Sequence, residues 1–238
     1  MKEDVFELLR GKTYPGRGIL IGKNASGGSI YVIYFIMGRS VNSRNRIFTY
    51  TGDGIRTEAY DPALMKDPSL IIYHPVRMVG DKIVVTNGDQ TDTVRDYLVK
   101  DGNFRQALNT REFEPDPPNY TPRISGIVYH DGSYCLSILK SCEGDPSSCL
   151  RYLFDYADPL PGEGRFISTY EDDGDPLPSF RGEPRRVSVS GSLDEFANGV
   201  WNALNDDNKV SLYGCELNLE TGAVQQLIIN NHEQGDRA

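Results

Sequence analysis

The amino-acid sequence predicts an α+β fold. Three observations carry this. Strand-like runs outnumber helical ones, most strands face a neighbour across a short turn as a hairpin, and the helices fall between and after the hairpins. A chain of 238 residues has room for one large domain or two small ones and can bury a sizeable core. Residues 1–238 are taken as a single domain.

The elements follow in order. Residues 4–10 suit a short amphipathic helix ending at Gly11, and Arg17 to Gly22 is a short apolar strand. Asn24 to Gly28 is turn chemistry, and Ser29 to Met37, rich in β-branched and aromatic residues, is the returning strand. An antiparallel pair brings its open ends together, so Arg17 returns beside Gly38 and Arg39. The Gly16–Gly22 run is no dinucleotide loop: its spacing is wrong, and it opens a strand where that fingerprint needs a helix. Residues 69–79 and 82–87 form a second hairpin round Gly80-Asp81. A polar loop, Thr86 to Thr91, then feeds a helix over Thr93 to Lys100. That turn either binds an anion through its N–H groups or is simply capped by Asp92 or Thr91. Phe104 to Thr110 makes a further helix.

Residues 112–122 hold several prolines, which cannot feed a regular ladder, so they form a rigid, shaped loop. Arg123 opens a third hairpin, Ile124–Tyr129 and Tyr134–Leu139, which closes at Lys140-Ser141. It echoes the first and suggests two similar β-layers with cations at one end. Residues 142–150 read as a loop, and Arg151–Tyr156 and Arg165–Tyr170 as strands. Glu171 to Asp175 lacks the spacing of a calcium loop and reads as a solvated acidic turn. Arg186–Ser190 is a short strand. Ser192 with Glu195 makes a capping box for a helix whose Phe196, Val200, Trp201 and Leu204 share one face. Residues 209–219 and 223–229 form a last hairpin round Glu220-Thr-Gly222, before a polar tail expected to fray.

Composition narrows the function. Hydrophobic content of 38%, charged content of 25% and a net charge of −9 suit a globular protein that avoids nucleic acid and anionic membranes. No apolar run is long enough to span a membrane, and the N-terminus lacks a signal-peptide core, so a cytoplasmic protein is expected. Cys135, Cys142, Cys149 and Cys215 form no CxxC pair, and His74, His130 and His232 are scattered, so no metal is expected. Cys142 and Cys149 could bridge across their loop, but a reducing cytosol favours free thiols.

The densest polar feature is Gly38-Arg-Ser-Val-Asn-Ser-Arg-Asn-Arg46, set between apolar runs. Arginine carries a planar fork of donors suited to phosphate or carboxylate. A local cationic site in an acidic chain favours a small anion over a polymer. The solvated-loop alternative is the common fate of such clusters, but this one ends a buried strand, where ligand sites often lie.

Several blocks together resemble the archaeal-type IMP cyclohydrolase family. They are Tyr14-Pro-Gly-Arg-Gly-Ile, Gly38-Arg-Ser with Asn45-Arg46, Ile72-Tyr73 with Arg77-Met-Val-Gly-Asp81, Val84 to Thr93, and Arg111 to Asp116 with Thr121-Pro-Arg123. The blocks lie in the first half of the chain; residues 141–185 have no recognisable counterpart. The resemblance implies a four-layer αββα fold like that of the N-terminal-nucleophile hydrolases. It also implies ring closure of a formamido-imidazole-carboxamide ribotide to IMP in purine synthesis, with no cofactor or metal. The implied catalytic residues are Arg46, Tyr73 and Glu114. Arg17, Arg39, Arg44 and Arg123 would meet the phosphate, with Ser40 and Asn45 in the same block. Asn87, Asp89 and Thr91 would meet the base or ribose. The expected partner is a purine ribonucleotide; homo-oligomerisation stays open. Two other classes stay open as well: amide hydrolysis by an N-terminal nucleophile, with Thr13 the nearby candidate, and a non-catalytic purine-nucleotide sensor.

Overall fold

In the computed structural model, residues 2–65 and 72–232 are described. Thirteen strands form two antiparallel sheets. The first runs in the order β11 (Arg185–Ser188), β10 (Glu163–Ser168), β1 (Arg17–Lys23), β2 (Ser29–Met37), β12 (Lys209–Asn218), β13 (Val224–Asn230). The second is sequential: β3 (Arg46–Thr51), β4 (Gly54–Ala59), β5 (Val76–Val79), β6 (Lys82–Thr86), β7 (Arg123–Val128), β8 (Tyr134–Cys142), β9 (Asp145–Tyr156). The helices are α1 (Val5–Arg10), α2 (Val41–Arg44), α3 (Gln90–Val99), α4 (Phe104–Asn109) and α5 (Leu193–Ala203).

The sheets pack as a sandwich. Ile19, Ile21, Val32 and Tyr34 of the first meet Val85, Ile124, Leu136 and Ile138 of the second. Alternate residues point outwards, as strand pleating requires. Leu20, Tyr31, Ile33 and Phe35 pack on Val5, Leu9, Phe196, Val200 and Trp201 of α1 and α5. Val84, Ile127 and Leu139 pack on Val94, Phe104 and Leu108 of α3 and α4. A strand covered on both faces needs apolar residues at every position, and all nine residues of β2 are buried. Each fully buried Val, Ile or Phe contributes about 1.5–3 kcal/mol. Gly126 lets β7 close on β1: a Cβ there would stand 2.7 Å from Ile21 Cδ1 and 3.0 Å from Val85 Cγ1.

The hairpins at Asn24–Gly28, Gly80-Asp81, Asp131-Gly132 and Glu220–Gly222 form as the sequence predicts, as does the Ser192–Glu195 capping box. Four expectations are corrected. Residues 145–150 are not a loop but the start of β9, which turns back at Glu143-Gly144, where both residues have positive φ. As an edge strand, β9 exposes much of its length and shows no apolar alternation there. The helix expected from Thr93 begins at Gln90; its N-cap, Asp89, makes no side-chain capping bond. Glu171 to Asp175 is not merely solvated, because Asp172 accepts the Thr13 and Tyr14 amides at 2.7 and 2.9 Å. The β3–β4 hairpin and α2 carry no expectation from the sequence. The start of the expected 69–79 strand and the end of the polar tail lie outside the described residues; within them, Ile72 to Pro75 precede β5 without joining a strand.

Candidate active site

The chain crosses from the first sheet to the second between Met37 and Arg46, through α2. Arg17 opens β1 opposite Ile36 at the end of β2, Arg46 opens β3, and Arg123 opens β7, which packs against β1. Strand starts thus deliver three arginines to one end of the sandwich.

Arg46 and Arg123 are buried and Arg17 is half-buried. Arg46 is 0% exposed; its Nε donates to Ser43 O at 2.8 Å and its Nη2 to Met37 O at 3.2 Å. Arg123 donates from Nη1 to Asp89 Oδ1 at 2.7 Å and to Gln90 Oε1 at 2.6 Å. Each keeps a buried nitrogen with no protein partner: Arg17 Nε, Arg46 Nη1 and Arg123 Nε. An unmade hydrogen bond on a buried group costs about 1–3 kcal/mol, and more where the group is charged. Burial and the neighbouring Arg17 hold the Arg46 guanidinium below its ordinary proton affinity. Burial also works against charge on Arg17, but Glu114 and the hydroxyls of Tyr14, Tyr73 and Tyr170 outweigh it and raise its pKa. Both remain cations at physiological pH.

Glu114 is 3% exposed. The Pro-rich loop that carries it is closed by its own hydrogen bonds. Glu114 N donates to Thr121 O at 2.9 Å, and Thr121 donates from N and Oγ1 to the two oxygens of Asp116 at 2.7 and 2.5 Å. Gly88 makes room beside it: a Cβ there would stand 2.6 Å from Arg123 Nη1 and 3.5 Å from Glu114 Oε1. Burial pushes the Glu114 carboxyl above the usual range, against the pull of Arg17 and Arg123. A carboxyl whose proton affinity is raised by burial is better suited to hold a proton than an exposed one.

Tyr73 is clamped at its backbone by Thr57. Its N–H donates to Thr57 Oγ1 at 2.9 Å, and its carbonyl accepts from Thr57 N at 2.9 Å and Oγ1 at 3.1 Å. Its hydroxyl lies 2.8 Å from that of Tyr34. Tyr73 and Arg46 both bear electrostatically on Arg17, and Arg17 and Arg123 both bear on Glu114. The five residues therefore form one linked group.

The other residues singled out from the sequence make bonds within the protein. Arg39, exposed, donates to Asp173 at 2.5 Å and lies over the Tyr14 ring. Ser40 caps α2. Arg44 braces the crossover, donating to Gly38 O at 2.9 Å and Asn208 Oδ1 at 3.0 Å. Asn45 exchanges two 2.7 Å bonds with the backbone of Asp61. Asn87 donates to Pro122 O and accepts from Gln90 and from the Ile124 amide. Thr91 lies 2.6 Å from the Thr86 hydroxyl and donates to Gly88 O. Asp89 is held between Arg123 and Arg111, which explains its missing cap bond. Thr13 is exposed, with its amide held by Asp172, behind a helix that buries Val5 and Leu9. A cleft of about 1080 Å³ runs past Asp89 on the side of α3 and α4. Asp92, Asp96 and Asp101 line it, which suits no phosphate.

Sequence reasoning missed Tyr34, Gln90, Arg111 and Tyr170, whose hydroxyl lies 2.7 Å from Thr121 Oγ1. Tyr34 and Tyr170 sit in apolar strand-like runs and look like core. A tyrosine among aliphatics where phenylalanine would pack as well is the one signal available.

The chain is similar in sequence to known proteins. The model of a family described as IMP cyclohydrolase-like protein matches residues 14–220, well past the first-half blocks and across 141–185. Proteins named IMP cyclohydrolase are similar in sequence. That of Methanosphaera stadtmanae is 30% identical over 163 residues, 66% of this chain and 74% of its own length. That of Methanopyrus kandleri is 32% identical over 162 residues, covering 66% and 75%. That of Methanococcus maripaludis strain S2 is 34% identical over 129 residues, covering 51% and 61%. On the match across most of its length, this chain belongs to the IMP cyclohydrolase-like protein family.

Proposed function

We propose that this chain catalyses the dehydrative ring closure of 5-formamidoimidazole-4-carboxamide ribotide to IMP, the reaction for which its relatives are named. The observation that carries the reading is Glu114, an enclosed carboxyl of raised proton affinity between Arg17 and Arg123. The substrate's carboxamide nitrogen is a poor nucleophile. It must be held against the formyl carbon, its proton must leave, and the developing oxyanion needs donors. As the C–N bond forms, the formyl carbonyl electrons move onto oxygen, where Tyr73 and Arg46 donate. Ionised Glu114 takes the attacking nitrogen's proton and returns it to the alkoxide oxygen, giving the carbinolamine. The C–O bond then breaks as the C=N bond to the formamido nitrogen forms, and that nitrogen's proton, passed through Glu114, completes the departing water. Arg17 and Arg123 offer their unspent donors to the ribose phosphate. The chemistry calls for no redox cofactor or metal.

The sandwich with helices on both outer faces supports an αββα arrangement of the N-terminal-nucleophile hydrolase type. The working partner is a purine ribonucleotide in the cytoplasm. Conversion of the formylated ribotide to IMP, followed by absorbance, tests the reading. IMP formation that disappears in Glu114→Gln supports it; a folded protein that binds IMP but never forms it would leave the sensor reading instead.

A further inference from the structure

Tyr34 is fully enclosed in the middle of β2, yet it carries a hydroxyl that its packing does not need. Its ring stacks on Phe48 at 5.8 Å, a contact phenylalanine would make as well. The charged groups bearing on it are Arg17 of β1 and Arg46 of β3, and neither guanidinium can accept a hydrogen bond. The Tyr73 hydroxyl lies 2.8 Å away; either oxygen could be the donor in that bond, but of these neighbours only Tyr73 can accept the Tyr34 proton. Burial and Tyr73 itself hold Tyr34 protonated far above neutrality. A hydroxyl that accepts one bond has its own proton free to point elsewhere. Tyr73 is 5% exposed where Tyr34 is 0%.

We propose that Tyr34 is a positioning residue: it donates to the Tyr73 oxygen, which turns the Tyr73 proton towards the reacting oxygen and strengthens it as a donor. This rests on the ring-closure reading, in which Tyr73 serves the oxyanion. Chained hydroxyl donors polarise one another, so removing the inner one weakens the outer one. Tyr34 need not touch substrate to act.

The test compares wild type, Tyr34→Phe, Tyr73→Phe and the double variant for turnover of the formylated ribotide. For Tyr34→Phe, kcat should fall about tenfold, the effect of losing roughly one hydrogen bond, with KM and IMP affinity within about twofold. The double variant should be no slower than Tyr73→Phe, because both changes remove one relay. Equal kcat in Tyr34→Phe and wild type, or additive losses in the double variant, would overturn the proposal. Tyrosinate absorbance reads the same bond without turnover. The ionisation that vanishes in Tyr73→Phe should move to higher pH in Tyr34→Phe; no movement overturns the proposal. If wild type makes no IMP while that titration moves, the tyrosine pair stands and the reaction assignment falls. If Tyr34→Phe melts early and loses IMP, 3,5-difluorotyrosine at position 34, a stronger donor, takes its place. It should move the Tyr73 ionisation to lower pH, and an unmoved ionisation counts against the bond.

Discussion

The two groups of arginines at the crossover end have opposite fates. Arg39 and Arg44, on the surface between β2 and β3, are engaged by Asp173, Gly38 and Asn208. Arg46 and Arg123 are buried and Arg17 is half-buried; all three stand at the first positions of strands, and each keeps a buried nitrogen without a protein partner. A loop side chain turns to whatever acceptor lies near it. A side chain at a strand start is aimed by the ladder and stays where the sheet puts it. Among these five arginines, a buried nitrogen without a protein partner is found only at the strand starts.

The largest expected effect would break the enclosed group at its carboxylate. Glu114→Gln keeps the shape but cannot take a proton, so kcat should fall by roughly two orders of magnitude or more while IMP affinity changes little. Wild-type turnover in the folded variant would move the proton relay to another carboxylate, with Asp116 and Glu112 the nearest in sequence. Next comes the contrast between the two groups. Arg17→Met should weaken IMP binding by about 1.5–3 kcal/mol, the worth of a hydrogen bond to a charged group. Arg39→Met should alter it by less than about 0.5 kcal/mol, as a surface substitution does. Calorimetry on both variants decides, and equal losses would erase the distinction between them.

A smaller effect appears in stability. The Glu114 pKa is raised in the folded state, so folding favours its protonated form. That contribution is fully present below the unfolded value of about 4.3 and is lost as pH rises through the higher native value. Glutamine does not titrate. Denaturant melts should therefore show Glu114→Gln gaining on wild type between acid and neutral pH, and a constant difference would contradict the shift. The smallest effect expected is none: excess chelator should leave turnover unchanged. Loss of activity restored by a divalent ion would show that the enclosed arginines share their ligand with a metal.

Much of the fold was legible because its signals are local. Turn residues at Asn24–Gly28, Asp131-Gly132 and Glu220–Gly222, with β-branched runs between them, place the hairpins from neighbours alone. Antiparallel geometry then carries Arg17 back to the Arg39 end without further knowledge. The first half of β9, Asp145 to Leu150, escaped because an edge strand need not alternate, while Arg151–Tyr156 was read as a strand. The start of α3 escaped because Asp89, which looks like an ordinary loop residue, spends its carboxylate on Arg111 and Arg123 instead of capping.

By itself, then, the sequence determined that this is an α+β protein of hairpins with arginines at strand entrances and a Pro-rich acidic loop. Those are properties of neighbouring residues. Only the tertiary structure decided which arginines keep a buried nitrogen unpartnered, that Glu114 is enclosed, and that Tyr34 meets Tyr73. Each of these depends on partners far apart in the chain: Arg39 with Asp173, Arg44 with Asn208, Tyr34 with a residue 39 positions away. A hydrogen bond needs its two atoms within about 3 Å, and that distance is set only once strands distant in the chain pair within a sheet, as for Arg39 and Arg44, or the sheets pack face to face, as for Tyr34.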